Sequence, residues 1–488
     1  MSENNSLINK LKAIPRQGVI AIVALLFFAA GCFFVYREQY LFLLIPVVGF
    51  VLTMFLFDLN KILILIAFLT PFSVEVALVG ESKLSILTEP LLIIFSFVFV
   101  LKLLVGGTYD RRLFKHPITI AILLFLLWTL ITCITSEIPL VSFKLIASRF
   151  WFIIPFYFGA IYAFKEPKMF KQFFFAYSIS LMIIVLASAY TIFSGGFTKK
   201  LLHHSMRPFY NDHTEYGAVL ALFVPVCWMY LLQKTKDNLH KLLLLIPFAV
   251  LTFGLILSYS RAAWISVVAA IGVYFLIKTK IKMKWMMMGA VLVASVFFTY
   301  QFEVIYKMGK NRQDSSNDLL GHVKSISNIS TDDSNLERLN RWASGFRMIE
   351  ERPFLGWGPG VYQHRYAPYQ KSYQLSMIST NAGDGGDIHS EYFGPLVESG
   401  VLGILLKLSI FILTFITGVK VYRKAEDKSI AVLALYLTLA LLTYYIHGVF
   451  NNFLNDDKLA IPFWAFTATI VALDIFYPKK KGNSLFNV

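Results

Sequence analysis

Residues 173–195 have the sequence FFFAYSISLMIIVLASAYTIFSG, a run of 23 residues without a charged side chain. About 20 mainly apolar residues in a helix are enough to cross the hydrocarbon core of a bilayer. The run therefore predicts a membrane-spanning helix, and similar runs occur on both sides of it along the chain.

These repeated runs predict an all-α, polytopic integral membrane protein with about 12–14 transmembrane helices. Of the 488 residues, 57% are hydrophobic and only 15% are charged, a balance that excludes an ordinary soluble protein. Two of the runs fit re-entrant or interfacial helices as well, which gives the lower number. The fourteen candidate spans are 18–36, 40–57, 61–78, 87–105, 117–135, 142–164, 173–195, 214–233, 241–259, 262–278, 285–301, 390–419, 429–450 and 459–477.

The basic residues predict the orientation of these helices. If the N-terminus is cytoplasmic, the cytoplasmic segments carry 25 Lys and Arg residues, whereas the short segments on the opposite side carry 7. Short cytoplasmic loops are enriched in basic residues, so this arrangement is favoured. The formal net charge of +16 is then explained by topology, and we expect membrane lipids as partners but no nucleic acid.

The hydrophilic stretch 302–389 interrupts the series of apolar runs. The sequence therefore predicts an N-terminal transmembrane bundle of about 11 helices (1–301), a large loop outside the cytoplasm (302–389), and C-terminal helices with a basic cytoplasmic tail (390–488). Long loops between membrane helices often carry function.

The turn SYSRAAW, residues 258–264, places Arg261 between two apolar runs with almost no loop. A permanent charge at the membrane is energetically costly, and for that reason often functional. The alternative is an arginine that anchors the helix at the membrane surface while its charged end reaches water.

The loop segment 335–362 predicts a helix, because its apolar residues recur at helical spacing. Ser334 or Asn335 is a plausible N-cap, and Pro353 is expected to stop the helix. Arg338 and Arg341 are three residues apart and share a face, where such a pair can grip a phosphate group. The alternative is a solvated basic face.

His389 lies where the chain re-enters the membrane, and a neutral imidazole there can accept a proton from a hydroxyl group. The alternative is a purely structural interfacial histidine. Ser390 is expected to cap the following helix, with Glu391 in its first turn. Pro395 and the stretch Glu398–Ser399–Gly400 are expected to break or bend that helix, which is tolerated where the backbone is buried in protein or lines a cavity.

Several other polar residues are expected on the same side of the membrane. Of these, Arg207 is a further candidate for binding the phosphate groups, together with Arg261, Arg338 and Arg341. Asp384, Asp387, His389 and His364 match no strong metal-ligand spacing, so no metal site is predicted. Arg149 is an arginine inside a predicted span, which is rare. The remaining candidates are His203, His204, Asn211, His213 and Glu215.

These features, in this order, resemble the O-antigen ligase and O-antigen polymerase superfamily. The resemblance covers roughly 205–405 and rests on SRAAW at 260–264, ERLNRWASGFRMIEERPFLGWGPGVY at 337–362 and HSEYFGPLVESGVLGILL at 389–406. The sequence departs from the family pattern in the WGPG turn and in Ser390, where the family commonly has Asn.

The resemblance implies a metal-independent, inverting glycosyltransferase without a cofactor, in a bacterial inner membrane, with its active site on the periplasmic face. Its donor would be a polyprenyl-diphosphate-linked glycan. Its acceptor would be a hydroxyl of lipid A–core, of a second lipid-linked glycan or of a protein. Arg261 and Arg338 match the essential arginines of the family, and His389 matches its essential histidine.

Two questions stay open from the sequence. The first is whether the protein is a ligase, a polymerase or a protein O-oligosaccharyltransferase, since these differ in the acceptor. Length and the single large loop favour a ligase acting on lipid A–core. The second is whether the chain is instead a transporter of lipid-linked glycans, which predicts charged residues throughout the bundle and on both membrane faces.

Overall fold

The computed structural model describes most of the chain after residue 57. The described residues are 37, 49, 53–55, 58–77, 83–106, 110–233, 237–279, 281–308, 333–375, 379 and 386–477. The chain divides into two compact units, Met1–Ile62 and Leu63–Val488. Apart from the first helix, which crosses this boundary, every element named below belongs to the second unit.

Helices make up nearly all of the described secondary structure, with one two-stranded sheet. In chain order the elements are α1 (Leu59–Leu69), a 3₁₀ turn (Thr70–Phe72), β1 (Glu75–Ala77), β2 (Lys83–Ser85), α2 (Glu89–Val105), α3 (Arg111–Phe114), α4 (Pro117–Ile134), α5 (Pro139–Ile153), a π-helical turn (Ile154–Gly159), α6 (Ala160–Ala163), α7 (Pro167–Gly195), α8 (Lys199–His204), α9 (His213–Leu231), α10 (Asn238–Leu257), α11 (Arg261–Lys278), α12 (Met283–Met308), α13 (Asp333–Glu351), α14 (Tyr362–Arg365), two further 3₁₀ turns (Ala367–Tyr369 and Ser372–Gln374), α15 (Phe393–Lys424), α16 (Lys428–His447) and α17 (Asp457–Phe476).

Eight helical segments among the described residues are long and apolar enough to cross a membrane. The prediction of an all-α, polytopic membrane protein is therefore confirmed. The spans predicted at 18–36 and 40–57 lie outside the described residues, apart from isolated positions in the second. The eight segments are Pro117–Ile134, Pro139–Ala163, Pro167–Gly195, His213–Leu231, Arg261–Lys278, Phe393–Lys424, Lys428–His447 and Asp457–Phe476.

The span predicted at 61–78 is wrong in its second half. Helix α1 ends at Leu69 and continues only as the 3₁₀ turn Thr70–Phe72. Pro71 has no N–H to donate and disfavours α-helical geometry at the residue before it, which favours the end of the α-helix at this point. The chain then forms strand β1, which pairs antiparallel with β2 and places Val76 opposite Leu84.

The centre of the bundle is formed by α9, α16 and α17, whose side chains are mostly buried. Phe223 of α9 lies 5.1 Å from Phe174 of α7 and 5.6 Å from Phe466 of α17, between ring centroids. Helix α15 packs against α4, α16 and α17, and α11 packs against α9 and α16. This packing brings the first turns of α9 and α11 to the end of the bundle where α16 ends and α17 begins.

Helix α15 is broken at Gly400, as the sequence predicted. Gly400 has φ 69° and ψ −173°, far from helical values. The break leaves backbone carbonyls that an unbroken helix would satisfy, and the turn after Pro353 supplies their partners. Trp357 N–H donates to Val397 O (3.1 Å) and Gly358 N–H donates to Glu398 O (2.9 Å).

The same turn is fixed against the C-terminal end of α4 and the N-terminal end of α5. Ser142 Oγ donates to Pro359 O at 2.8 Å, and a Cβ at Gly358 (φ 108°) would overlap the side chain of Ser136. Only glycine fits this left-handed, close-packed position. The turn is therefore built into the bundle, and it anchors the C-terminal end of α13.

Candidate functional site

Arg341 lies at the centre of a polar cluster on the inner face of α13. Its Nε donates to Glu337 Oε1 at 2.8 Å, one helical turn away. Its Nη1 donates to the backbone oxygen of Asp387 at 2.8 Å and contacts His389 Nε2 at 2.9 Å. The loop helix is thus joined directly to the segment that leads into α15.

His389 has a left-handed backbone, with φ 52°. This conformation costs a non-glycine residue roughly 1–2 kcal/mol, so the surrounding contacts must hold it in place. Trp342 Nε1 donates to Ile388 O at 3.0 Å, and Glu391 N–H donates to Gly448 O at 2.8 Å. The backbone on both sides of His389 is therefore clamped, and the imidazole is presented in one direction.

The contact with Arg341 determines the tautomer of His389. Arginine has only donors, so Nε2 must be the nitrogen with the lone pair, and Nδ1 carries the ring proton. Burial, together with the positive charges of Arg338 and Arg341, lowers the pKa of His389 to about 3, against the opposing negative charge of Asp212. The imidazole is therefore neutral at neutral pH.

Arg338 reaches a different backbone segment, the connection between α16 and α17. Its Nε donates to Phe450 O at 3.1 Å, and its Nη2 lies 3.5 Å from Asn451 Oδ1. Asn451 Nδ2 in turn lies 3.1 Å from Nε2 of His447, which is fully buried. The two arginines of α13 thus hold two separate segments at the mouth of the bundle.

Asp387 joins those two segments. Asn452 Nδ2 donates to Asp387 Oδ2 at 2.7 Å, and the other carboxylate oxygen accepts from Ile388 N–H at 2.6 Å. Burial raises the pKa of the Asp387 carboxyl above its ordinary value, and the two hydrogen bonds oppose that shift. Asp387 was considered from the sequence only as a metal ligand. In the structure it bridges the connection held by Arg338 to the segment held by Arg341.

Arg261 begins α11 and is half-buried at the same end of the bundle. Ser260 caps the helix, its side chain accepting from Ala263 N–H. Two residues before the cap, Ser258 O contacts His213 Nδ1 at 3.0 Å. The charge of Arg338 acts on His213 and on the neighbouring Asp212. His213 therefore contacts the turn before Arg261 and also lies near Arg338. The turn before Arg261 is thus on the same side of the cluster as Arg338.

Arg207 is exposed, and its Nη2 donates to Asn211 O within its own loop at 3.3 Å. Asn211 Nδ2 donates to Glu75 Oε2 at 3.0 Å, which ties this loop to β1. His203 stacks on His213 with ring centroids 4.1 Å apart, so this loop covers the approach to the Ser258 turn. In the described contacts, Arg207 belongs to this covering loop rather than to the Arg341 cluster.

The other weak candidates lie in separate environments. His204 Nδ1 contacts Lys200 O at 2.8 Å, and His364 contacts its neighbour Gln363 at 3.2 Å. Glu215 is buried and faces the start of α17, where it interacts with Asp456 and Lys458. Asp384 lies outside the described residues.

Glu391 and Lys407 form a buried ion pair beneath the cluster, with Oε2 and Nζ 3.0 Å apart. The sequence predicted Glu391 in the first turn of α15. This prediction is wrong, because the helix begins two residues later, at Phe393. Ser390 Oγ nevertheless accepts from the N–H groups of Tyr392 and Phe393 at 3.3 Å each. The carboxylate is free to turn back into the bundle because it precedes the helix.

Arg149 and Lys407 lie on the ring of Phe125, at 5.4 and 5.5 Å from its centroid. Arg149 also interacts electrostatically with the carboxyl groups of Glu398 and Glu391. Two cationic side chains and two carboxyl groups therefore lie close together in this region. Lys407 was not among the residues predicted from the sequence, although a lysine inside an apolar run is itself a signal of a functional or paired charge.

Glu337 was missed as well, and its spacing was the available signal. A carboxylate four residues before an arginine on one helix is placed to pair with it. The spacing of Glu337 and Arg341 predicts an ion pair that orients the Arg341 side chain. It therefore argues against the alternative that Arg341 is a solvated basic residue.

Residues 246–408 match a family model described as O-antigen ligase. The match covers α11, the loop helix α13, the segment with His389 and the first half of α15. It supports a glycosyltransferase-like membrane enzyme of the glycan ligase or polymerase type. No curated protein matches the chain.

Proposed function

We propose that this protein transfers a glycan from a polyprenyl-diphosphate-linked donor to an acceptor hydroxyl, because residues 246–408 match a family model described as O-antigen ligase. The observation that carries this proposal is the cluster in which Arg341 contacts both His389 and the backbone of Asp387, with Arg338 beside it. Two guanidinium groups and a neutral imidazole at one end of a membrane bundle suit a lipid diphosphate and a hydroxyl nucleophile.

The arginines would bind and stabilise the diphosphate. Negative charge builds up on its oxygen as the bond to the sugar breaks, and fixed guanidinium groups stabilise that charge. We assign this role to Arg338, Arg341 and Arg261, and a peripheral role to Arg207. The bond to the diphosphate already activates the sugar, so the proposal requires neither a nucleotide nor a metal.

His389 would position the acceptor hydroxyl and take its proton. The hydroxyl oxygen attacks C1 of the donor sugar, and the polyprenyl diphosphate leaves with the bonding electron pair from the opposite side. The configuration at C1 is therefore inverted. The acceptor proton passes to His389 and then to water.

We propose lipid A–core as the acceptor, which makes the protein a ligase of the bacterial inner membrane with a periplasmic site. The orientation rests on the basic-residue distribution and on the position of the cluster next to the 302–389 loop. The alternatives are a polysaccharide polymerase and a protein O-oligosaccharyltransferase, which use the same donor.

The intramembrane charges bear on the transporter alternative. Transport predicts charged groups spread along a path through the bundle. Here Arg149, Lys407, Glu391 and Glu398 form one group beneath the cluster, in which Glu391 and Lys407 are directly paired. Glu215, Asp457 and Lys458 form a second buried group at the start of α17, in which Lys458 pairs with Asp457. Paired groups of this kind are suited to holding helices together, which favours the enzyme.

The test is a transfer assay with purified protein in liposomes and a lipid-linked glycan donor. Lipid A–core, a second lipid-linked glycan and an acceptor protein are offered separately, with and without EDTA. We expect transfer to lipid A–core, unchanged by EDTA and lost in His389→Ala, with donor binding kept. Transfer in His389→Ala at the wild-type rate would refute the proposed site, and transfer only to another acceptor would select that alternative.

The periplasmic orientation is tested separately by labelling introduced cysteines in intact cells. A cysteine at Leu320 should react with an impermeant reagent, whereas one at Lys282 should react only after lysis. The reverse pattern would place the loop, and the site with it, on the cytoplasmic side.

A further inference from the structure

Both hydrogens of Arg341 Nη1 are in use. One is directed to the backbone oxygen of Asp387 (2.8 Å) and the other to Nε2 of His389 (2.9 Å). Nε is held by Glu337 at 2.8 Å. Within the part of the chain that the structure describes, Nη2 of the same guanidinium has no hydrogen-bond partner.

This arrangement leaves His389 unable to act as a base. The lone pair of Nε2 is its only site for a proton, and that lone pair accepts the hydrogen bond from Arg341. The other nitrogen, Nδ1, carries a proton and can only donate. An acceptor hydroxyl that approached His389 in this state would find no lone pair to receive its proton.

We propose that Arg341 masks His389 until the diphosphate of the donor binds, and that the donor exposes the base by drawing the guanidinium onto its own oxygens. This inference rests on the proposed function, because it takes the polyprenyl-diphosphate donor as given. It adds that donor binding must precede activation of the acceptor.

The exchange is favourable because the donor offers a better partner. The guanidinium is charged in both contacts, but a phosphate oxygen adds the attraction between two opposite charges, which a neutral imidazole cannot provide. Nη2 provides the first point of contact. Since Glu337 holds Nε, the guanidinium can turn about that anchor without leaving the site.

The charges around His389 support the same sequence of events. Arg338 and Arg341 on α13 face it with positive charge, and Asp212 before α9 faces it with negative charge. Asp387, two residues away, is buried and bound to Asn452. When the diphosphate neutralises the two arginines, the imidazole becomes more basic, because fewer positive charges oppose its protonation.

The reaction step then balances. The acceptor oxygen forms a bond to C1 of the sugar, and the bond from C1 to the diphosphate oxygen breaks, with its electron pair staying on the diphosphate. The acceptor proton goes to the exposed Nε2. Water takes that proton before Arg341 returns to Nε2 with departure of the polyprenyl diphosphate.

The test measures whether the Nε2 lone pair is available. Diethylpyrocarbonate acylates the unprotonated nitrogen of an imidazole, and mass spectrometry of the peptide that contains His389 gives its rate. The probe ligand is polyprenyl diphosphate without a glycan, which leaves the sugar and acceptor space open. We expect slow modification without the probe and roughly tenfold to a hundredfold faster modification with it, as for release of a hydrogen bond to a charged group.

Two variants separate masking from simple charge repulsion. Arg341→Gln should give fast modification with or without polyprenyl diphosphate. Arg338→Gln removes an equal charge that also acts on His389 but leaves the Nε2 contact, so its modification should stay slow without the probe. The inference is wrong if Arg341→Gln remains slow, or if bound polyprenyl diphosphate leaves the wild-type rate unchanged. Should Arg341→Gln fail to fold, the wild-type comparison alone decides.

Failure of the proposed function gives a different result. Polyprenyl diphosphate would then not bind, or transfer would survive in His389→Ala. Either outcome is measured independently of the modification rate.

Discussion

Lys407 Nζ lies 3.0 Å from Glu391 Oε2 inside the bundle. Glu391 comes two residues after His389, whose backbone is left-handed. The other oxygen of Glu391 accepts from Tyr444 Oη at 2.6 Å and from Leu454 N–H at 2.9 Å. One carboxylate therefore binds α15, α16 and the connection between α16 and α17. Because Glu391 follows His389 by two residues, these contacts anchor the backbone next to the imidazole.

We predict that Lys407→Met destabilises the protein by roughly 3–5 kcal/mol, since it leaves a buried carboxylate without its counter-charge. The double variant with Glu391→Gln should recover much of that loss, because no buried charge remains. Unfolding in detergent, followed by circular dichroism, measures both. Lys420→Met is the matched control, because its partner Asp474 is 3.4 Å away and its side chain is more exposed. Equal losses in the two lysine variants would contradict the assignment.

Gly400 allows α15 to break, and the turn after Pro353 depends on that break. In Gly400→Ala the new methyl group would overlap the carbonyl oxygen of Phe354, and φ 69° would itself be strained. We predict a loss of at least about 1–2 kcal/mol of stability and release of the turn from α15. Gly272→Ala is the control, since a Cβ there has nothing within 4 Å. Faster proteolysis between residues 353 and 362 in Gly400→Ala alone is the expected observation.

The break at Gly400 was predictable from the sequence, whereas the ion pair beneath it was not. Periodicity and apolar length located the helices, and Pro353 correctly marked the end of α13, because these signals act within one segment. The contact between Arg341 and His389 joins residues 48 apart, and the bond from Arg338 to Phe450 joins residues 112 apart. Contacts of that range depend on how the helices pack, which a single sequence does not encode locally. For this reason the sequence predicted Arg341 as one of a phosphate-binding pair, with a solvated basic residue as the alternative, but did not predict its contact with His389.

The low pKa of His389 predicts a specific dependence of stability on pH. The unfolded chain takes up a proton at this residue below about pH 6.5, whereas the folded protein does so only near pH 3. Between these values the unfolded state binds more protons, so this residue's contribution to stability falls as the pH falls. We predict that His389→Gln lessens the loss of stability between pH 6.5 and 4.5, by up to about 1.4 kcal/mol per pH unit. Denaturant unfolding at several pH values measures this, and His204→Gln, an exposed histidine, should behave as the wild type.

The final prediction concerns the guanidinium groups themselves. Arg338 uses Nε for Phe450 O and Nη2 towards Asn451, so the plane of its guanidinium group has a defined orientation. Lysine keeps the charge but has neither the planar fork nor the Nε donor. We expect Arg338→Lys and Arg261→Lys each to lower the transfer rate on the order of 10²–10³-fold, as for the loss of one donor that stabilises a developing negative charge.

Arg365→Lys is the control for that experiment, because Arg365 is exposed and pairs with Glu137 at 3.4 Å, away from His389. Its transfer rate should stay close to that of the wild type. Rates are compared at saturating donor in liposomes, together with donor binding, so that weaker binding and slower chemistry are separated. If Arg338→Lys and Arg261→Lys transfer glycan as fast as Arg365→Lys does, a positive charge alone is sufficient at these two positions and the planar guanidinium is not required. Among the arginines of the cluster, only Arg341 would then remain as a residue whose guanidinium group is proposed to bind the diphosphate.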